Sequence, residues 1–281
     1  MAFDVSLGQY YEGNSLIHKL DPRTKLFYVI MFMVATFVAK SIYAFLFLFL
    51  VVVLSILISR VPIRTVLKGL KPLIVIVIFT AILNIFWTKG ENPLWVINII
   101  PNRFAVSIYK EGLIKAALLA LRIVMLLAET TLFLSYTTTP IELTDGIETA
   151  LSPLKKIKLP IHEFAMLMTI ALRFIPTLTD ETGKIMNAQK ARGADFASGG
   201  LIKRAKALIP IIIPLFVSSF RRADELATAM ECRCYRGGEG RTRMRKLKFK
   251  VKDAFGFVFS AILLAGVILI NIYLSQHGAT I

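Results

Sequence analysis

The sequence predicts an all-α, polytopic helical membrane protein with five transmembrane helices and long amphipathic cytoplasmic helices. Of its 281 residues, 56% are hydrophobic and 20 are phenylalanine, which is too apolar for a soluble domain of this length. Apolar stretches that approach the length of a bilayer crossing recur along the chain. Before the last of them lies a segment, from about Pro140 to Lys250, that is longer than a connecting loop needs to be.

Five apolar stretches approach the ~20 residues that a helix needs to cross the hydrocarbon core. They run approximately from Leu26 to Ala39, Tyr43 to Ser59, Pro72 to Trp87, Leu113 to Tyr136 and Ala254 to Leu274. Lys40, Ser41 and Ile42 alone separate the first two, which predicts a tight hairpin, because one continuous helix would be ~50 Å long. The predicted regions are a membrane part with four spans (1–136), a cytoplasmic helical region (137–250) and a final span (251–281).

The distribution of positive charge predicts the orientation. The chain carries 34 Lys and Arg against 18 Asp and Glu, a net charge of +16. A cytoplasmic amino terminus places most of these cations inside, so the carboxyl terminus is predicted outside. Nucleic-acid binding would need this charge on a soluble face with stacking aromatic side chains, and it lies instead largely at span boundaries. The basic run from Arg241 to Lys252 predicts contact with anionic lipid headgroups, worth ~1 kcal/mol for each cation near the surface.

Two long helices are predicted in the cytoplasmic region, from about His162 to Lys190 and from about Leu201 to Glu231. Apolar residues recur at helical spacing in the first helix. The second contains an apolar run, Leu208 to Val217, that is too short to span, so it either packs against the first long helix or lies at the membrane interface. Glycines between the helices allow the chain to reverse: Gly193, Gly199 and Gly200.

An arginine between small residues stands near the end of each long helix. The triplets are Ala191-Arg192-Gly193 and Cys232-Arg233-Cys234. A guanidinium with small neighbours can enter a groove and bridge its acidic or carbonyl oxygens, whereas bulky neighbours would block that entry. The repeated pattern indicates a partner with two similar sockets. The alternative is two surface arginines at helix ends, where the macrodipole favours cations.

The motifs of an ATPase or a metalloenzyme are absent from the sequence. It has no G-x-x-x-x-G-K-[ST] motif, so neither ATP hydrolysis nor a bound nucleotide cofactor is predicted for this chain. His18, His162 and His277 are scattered. Cys232 and Cys234 have no second pair of ligands, so no metal site is predicted. No catalytic residue emerges, and the predicted class is a non-catalytic membrane protein.

Two charged residues lie deep inside the fourth predicted span, and Lys115 lies at its edge. Arg122 and Glu129 are seven residues apart, ~10 Å along one helix face. They either line a polar path, pair with other helices or hold a subunit interface. The other spans contribute almost no polar residue beyond Asn84, which argues against a stand-alone transporter, since such a protein needs polar groups near the midplane.

Several segments resemble the transmembrane T component of energy-coupling factor transporters, which import vitamins and metal ions in prokaryotes. The segments are Gly8 to Tyr10, Ser15 to Leu26, Thr138 to Leu143, Arg173 to Pro176, Lys190 to Asp195 and Ala229 to Gly237. The resemblance extends over nearly the whole chain. The first triplet has the family's Ala-Arg-Gly form, and the second departs from it with Cys on both sides.

The resemblance implies a function for the two triplets. In that family the long cytoplasmic helices are coupling helices, whose X-Arg-X motifs dock into grooves on two ATPase subunits. Arg192 and Arg233 would be the coupling arginines, with ATP and Mg²⁺ held by those partners. A separate substrate-capture subunit, the S component, would bind the cargo and choose it. The alternatives from other classes are a conventional ATP-binding-cassette importer permease, a stand-alone membrane transporter and a membrane-embedded enzyme.

Overall fold

The computed structural model describes residues 10–88, 93–100, 104–153, 160–196, 200–237 and 249–276. Its helices are α1 (Pro22–Val38), α2 (Ile42–Ser59), α3 (Ile63–Leu70), α4 (Ile74–Trp87), α5 (Lys110–Thr130), α6 (Pro140–Ala150), α7 (Ile161–Ala191), α8 (Leu201–Cys232) and α9 (Val251–Gln276). A 3₁₀ turn, Lys71–Leu73, joins α3 to α4, and a π-helical segment, Thr131–Tyr136, extends α5. The predicted all-α polytopic class is confirmed.

A short β-hairpin that the sequence analysis did not predict lies between α4 and α5. Its strands, β1 (Pro93–Ile100) and β2 (Phe104–Tyr109), are antiparallel, with Pro93 opposite Tyr109 and Ile100 opposite Phe104. β-Branched and aromatic residues fill both strands, and the Pro101-Asn102 pair between them is a turn signal. The hairpin is a small addition to a helical fold.

Five described helical segments are long and apolar enough to cross a membrane. They are Ile42–Ser59, Ile63–Trp87, Lys110–Tyr136, Ile161–Ala191 and Val251–Gln276. Four match predicted spans. α1, the predicted first span, has 17 residues, about 26 Å of helix, and falls short by length. α7 is apolar enough to qualify, although the sequence predicted a cytoplasmic position for it. Its carboxyl-terminal half carries Asp180, Glu181 and Lys184, which are costly inside a bilayer. The topology with α1 as a span and α7 in the cytoplasm stays a prediction.

The chain divides into two compact units. The bundle unit, residues 9–146 and 247–281, contains α1 to α5 and α9 around one apolar core. Its fully buried side chains include Phe32, Leu48, Met125, Leu132 and Val267. α1 runs beside α9 at close range, since a Cβ placed on Gly256 would lie 2.5 Å from Cγ2 of Thr24. Small residues permit this approach where apolar surface alone provides no driving force between helices in lipid.

The hairpin unit, residues 147–246, is built on α7 and α8. The two helices are antiparallel, since Glu181 meets Arg222 and Met166 meets Tyr235. The predicted reversal of the chain is confirmed, and Gly199 lies outside the described residues. Pro176, Pro210 and Pro214 are accommodated inside continuous helices. Of the apolar run Leu208 to Val217, Ile211 is buried while most other members are exposed, so packing of the whole run against α7 is wrong.

Candidate functional site

The first triplet forms the carboxyl-terminal cap of α7. Arg192 is the cap residue, and the N–H of Gly193 donates to the carbonyl of Lys190 at 3.0 Å. The N–H of Ala194 donates to the carbonyl of Gln189, also at 3.0 Å. These two bonds define a Schellman motif, which requires a left-handed residue after the cap. Gly193 meets the requirement at φ +85° without steric penalty.

The second triplet forms the same cap at the end of α8. The N–H of Cys234 donates to the carbonyl of Glu231 at 2.8 Å, and that of Tyr235 to Met230 at 3.0 Å. Arg233 is again the cap residue. Cys234 takes the left-handed position at φ +54°, which costs a non-glycine residue about 1 kcal/mol. The departure from the family's triplet therefore changes two side chains and leaves the hydrogen-bond pattern of the cap unchanged.

Both triplets are open to solvent. Ala191, Arg192 and Gly193 are exposed, and so are the three residues of the second triplet, Cys232, Arg233 and Cys234. The ion pairs found among the described residues join other side chains, so neither guanidinium is neutralised there. The two cysteines are free thiols. Within the described part of the chain, no group of His, Cys, Asp and Glu side chains could hold a metal ion.

The antiparallel arrangement separates the two arginines. Gln189, three residues before Arg192, lies beside Pro210 of α8. Arg233 lies more than six helical turns beyond Pro210 along α8. The two guanidinium groups are therefore ~35 to 40 Å apart along the hairpin. They are too far apart to enter the same small groove.

A proline determines one contact that sets the register of the hairpin. Pro214 has no N–H, so the carbonyl of Pro210 lacks its usual helical donor. The side-chain amide Nε2 of Gln189 on α7 donates to that carbonyl at 3.5 Å. Arg222 and Glu181 form an ion pair at 2.6 Å further along. Each contact lies where its helix faces the other, so polar groups hold the hairpin together.

One acidic side chain of α6 is withdrawn from solvent. Glu148 is buried, and its Oε1 lies 3.1 Å from Nδ1 of His162 at the start of α7. The pair therefore joins α6 to the start of α7. Neither side chain is part of a metal cluster in the described residues.

Two of the segments that resemble the family signature meet in the bundle. Lys25 of α1 is fully buried, and its Nζ donates to the carbonyl of Thr137 at 2.6 Å and to Oγ1 of Thr138 at 3.1 Å. Asp21 caps α1 by accepting from the N–H of Arg23 at 3.0 Å, and an Asp directly before Pro22 is a recognisable signal for such a helix start. Sequence reasoning missed this role of Lys25, because Thr137 and Thr138 lie more than one hundred positions away.

Asp253 joins the starts of α1 and α9, and sequence reasoning missed it too. Its Oδ1 accepts from the N–H of Asp21, and its Oδ2 from the N–H of Lys250, both at 2.7 Å. The carboxylate thus satisfies backbone donors at two helix ends, which have no partners within their own helices. An acidic residue in the first turn of an apolar helix was the available signal.

The charged residues of the fourth span pair with other helices. Arg122 donates from an Nη atom to the carbonyl of Ala39 at 3.0 Å, and its guanidinium lies over the ring of Phe45. Glu129 is fully buried and accepts from the hydroxyl of Tyr28 at 3.3 Å. The sequence left three roles open for Arg122 and Glu129: a polar path, pairing with other helices and a subunit interface. These contacts support pairing with other helices.

Asn271 of α9 corrects the expectation that Asn84 was almost the only other polar residue in the spans. Its amide donates to the carbonyl of Val38 at 2.8 Å and accepts from the N–H of Lys40 at 3.3 Å. It therefore holds the tight α1–α2 turn together with Arg122, because backbone groups at membrane depth need partners within the protein. Asn84 bonds to Thr80 in its own helix.

These features define a multi-pass membrane protein whose exposed, paired arginine caps lie on a helical hairpin. The family model CbiQ, described as cobalt transport protein, matches residues 13–244. A Clostridium kluyveri protein named energy-coupling factor transporter transmembrane protein EcfT is 53% identical over 273 residues, 97% of this chain and 99% of its own. Proteins of the same name from Ruminiclostridium cellulolyticum and Bacillus subtilis are 51% and 49% identical, over 96% and 95% of this chain and 98% of each relative.

The chain belongs to the EcfT family of energy-coupling factor transporter transmembrane proteins. It is a membrane component of a transporter that has further subunits.

Proposed function

We propose that this chain couples ATP hydrolysis by two ATPase subunits to the uptake of a vitamin or other micronutrient. A separate S component captures the cargo, and ATP and Mg²⁺ are bound by the ATPase subunits. The chain lies in the cell membrane of a prokaryote, with its amino terminus inside and its carboxyl terminus outside. The absence of a P-loop motif from the sequence agrees with this division of labour.

One observation carries the proposal: two small-Arg-small triplets share one Schellman geometry at opposite ends of an antiparallel hairpin. Each cap turns the chain away from the helix axis directly after the arginine. The guanidinium therefore stands at a helix tip with small neighbours on both sides, which suits insertion into a groove lined with acidic or carbonyl oxygens. Two such tips ~35 to 40 Å apart match two copies of one kind of subunit better than one.

The hairpin also provides a means of transmitting motion. α7 and α8 contact each other through separate polar pairs, Glu181 with Arg222 and Gln189 with the Pro210 carbonyl. Contacts of this kind allow two helices to slide by small steps while each remains intact. Closure of the ATPase pair would pull the two arginine tips and shear α7 against α8. The apolar run Leu208 to Val217 supplies an exposed face on which a partner slides.

Charge reversal at the two tips tests the proposal. Arg192→Glu and Arg233→Glu are each expected to weaken association with the ATPase subunits, because a charge-assisted contact is lost and a like charge enters its site. The double variant is expected to abolish uptake. Arg204→Glu on α8 is the matched control, since Arg204 is also exposed. Copurification from membranes and uptake by cells or proteoliposomes are the readouts.

Three results would contradict the proposal. One is a double variant that retains normal ATPase association and uptake. Another is ATP hydrolysis by the isolated chain. The third is substrate transport by the isolated chain in liposomes without partner subunits. Normal membrane insertion of all variants, measured by protease protection, keeps a folding defect from being mistaken for lost coupling.

A further inference from the structure

Two adjoining cavities open at the end of the bundle unit where α1 and α9 begin and α2 ends. The deeper cavity, ≈ 440 Å³, is lined mainly by apolar side chains, among them Val51, Leu54, Phe133, Phe255 and Phe259. The outer cavity is ≈ 480 Å³. Leu16, Ile58 and Lys252 line both, so the two cavities form one continuous cleft.

Three cations surround the outer part of this cleft. Lys19, Arg60 and Lys252 come from the segment before α1, the end of α2 and the start of α9, and all three are exposed. The ion pairs among the described residues involve none of them. The convergence of three elements distinguishes this group from a run of charges along one helix face.

Arg60 ends α2 in the left-handed backbone conformation, at φ +58°. This conformation costs more conformational energy for arginine than for glycine, because arginine has a Cβ atom. Strained backbone positions of this kind cluster at ligand sites, and Arg60 lines the cavity. Asn14 and Ser15 add polar groups to the same wall.

The deeper cavity contains one unsatisfied polar group close to its cationic end. Thr24 of α1 lines the cavity and is 1% exposed, and its hydroxyl Oγ1 has no hydrogen-bond partner among the described residues. A buried hydroxyl without a partner costs ~1 to 3 kcal/mol. The hydroxyl is enclosed, and a change of its χ1 rotamer would turn it toward the cavity. An ester carbonyl of a lipid would then accept its proton, whereas a plain hydrocarbon would not.

From this order of groups we propose that the cleft binds an anionic phospholipid of the adjacent leaflet. The phosphate lies among Lys19, Arg60 and Lys252, an ester group reaches Thr24, and one acyl chain fills the apolar cavity. In the predicted orientation this is the cytoplasmic leaflet, where basic pockets between helices select anionic headgroups. The cleft does not include the arginine tips. A failed lipid-binding test would therefore leave the proposed coupling function untouched, and a failed coupling test would leave the lipid site untouched.

The test uses the full chain, delipidated in detergent, with lipid binding followed by native mass spectrometry and by the shift in thermal unfolding. The probes are dioleoyl phosphatidylglycerol, dioleoyl phosphatidylcholine and inorganic phosphate. Phosphatidylglycerol is expected to bind and stabilise, phosphatidylcholine to bind much more weakly, and phosphate to have no effect. The triple variant Lys19→Gln, Arg60→Gln, Lys252→Gln is expected to lose about 100-fold in phosphatidylglycerol affinity.

Matched variants separate a defined cleft from general surface charge. Arg64→Gln, Lys68→Gln, Lys71→Gln removes the same charge near the start of α3 and α4, outside the cleft, and should retain binding. Leu54→Trp fills the apolar cavity without changing charge and should abolish the phosphatidylglycerol preference. Thr24→Val, which is nearly isosteric, should weaken phosphatidylglycerol binding several-fold. It tests the cleft in place of Leu54→Trp if that variant fails to fold.

Each alternative outcome overturns the proposal. Equal loss in both triple variants would mean a diffuse electrostatic attraction. Stabilisation by inorganic phosphate alone would mean a phosphate site with no lipid. Equal binding of the two lipids, or unchanged binding in both Leu54→Trp and Thr24→Val, would show that the cleft does not hold a phospholipid.

Discussion

The bundle unit and the hairpin unit differ in how many of their apolar side chains they bury. The core cluster of buried hydrophobic residues lies in the bundle, where side chains such as Phe32 and Leu48 are almost fully enclosed. Among the described residues of α7 and α8, the buried hydrophobic residues are Ile161, Ala165 and Ile211. The bundle therefore encloses an apolar interior, whereas the hairpin encloses few apolar side chains and aligns its two helices through polar pairs. An apolar face left exposed in this way packs against lipid or a partner protein.

The largest expected effect comes from joining the two hairpin helices covalently. In a background with Cys232→Ser and Cys234→Gly, a crosslink between Glu181→Cys and Arg222→Cys is expected to stop uptake almost completely. The native side chains of this pair are 2.6 Å apart, so a short bifunctional reagent bridges the two sites. Uptake with and without a reducing agent, using a cleavable reagent, measures the effect.

The uncrosslinked background variant is the control and must transport normally. Unchanged uptake with the crosslink complete would mean that sliding between α7 and α8 is unnecessary. α7 and α8 would then act as one rigid body during transport.

Leucine truncation compares the two units directly. Leu48→Ala in the bundle removes a fully buried side chain and is expected to lower the free energy of unfolding by about 2 kcal/mol, because the cavity left behind loses packing contacts. Leu208→Ala on α8, where the side chain is 43% exposed, should change it by less than about 0.5 kcal/mol. Reversible unfolding in mixed micelles measures both. Equal losses would show that the hairpin face is covered within the chain.

Removing the carboxylate of Asp253 is expected to cost about 2 kcal/mol, since two backbone N–H donors at the starts of α1 and α9 lose their acceptor. Asp253→Asn keeps one carbonyl oxygen and should have an intermediate effect. Asp224→Ala on α8 is the control, because Asp224 is exposed. A destabilisation by Asp253→Ala no greater than that of the control would exclude the proposed bridge between α1 and α9.

The smallest expected effect distinguishes the two helix caps. Cys234→Gly removes the steric penalty of the left-handed position and is expected to stabilise the end of α8 by about 0.5 to 1 kcal/mol. Gly193→Ala should destabilise the end of α7 by a similar amount. Cys232→Gly, inside α8, should destabilise because glycine weakens a helix. Amide hydrogen exchange in the last turns measures all three, and a destabilising Cys234→Gly would rule out the shared cap geometry.

Local patterns explain why much of the fold was predictable. The tight α1–α2 turn, the cap by Asp21 and the two long helices follow from apolar length, capping residues and helical spacing, which act within a few residues. The β-hairpin was missed although its two apolar runs and the turn between them were visible in the sequence. Asn271 was missed because one amide in an apolar span does not identify its partner.

The sequence by itself determined the class of protein, most of the apolar spans, the net charge and the two arginine triplets, because composition and short-range periodicity are properties of neighbouring residues. Only the tertiary structure decided that both triplets form the same cap and lie at opposite ends of an antiparallel pair. It also decided that the Gln189 amide meets the carbonyl that Pro214 leaves free, and that Lys19, Arg60 and Lys252 converge on one cleft. These contacts join residues far apart in the chain, so they depend on how helices pack and in which register.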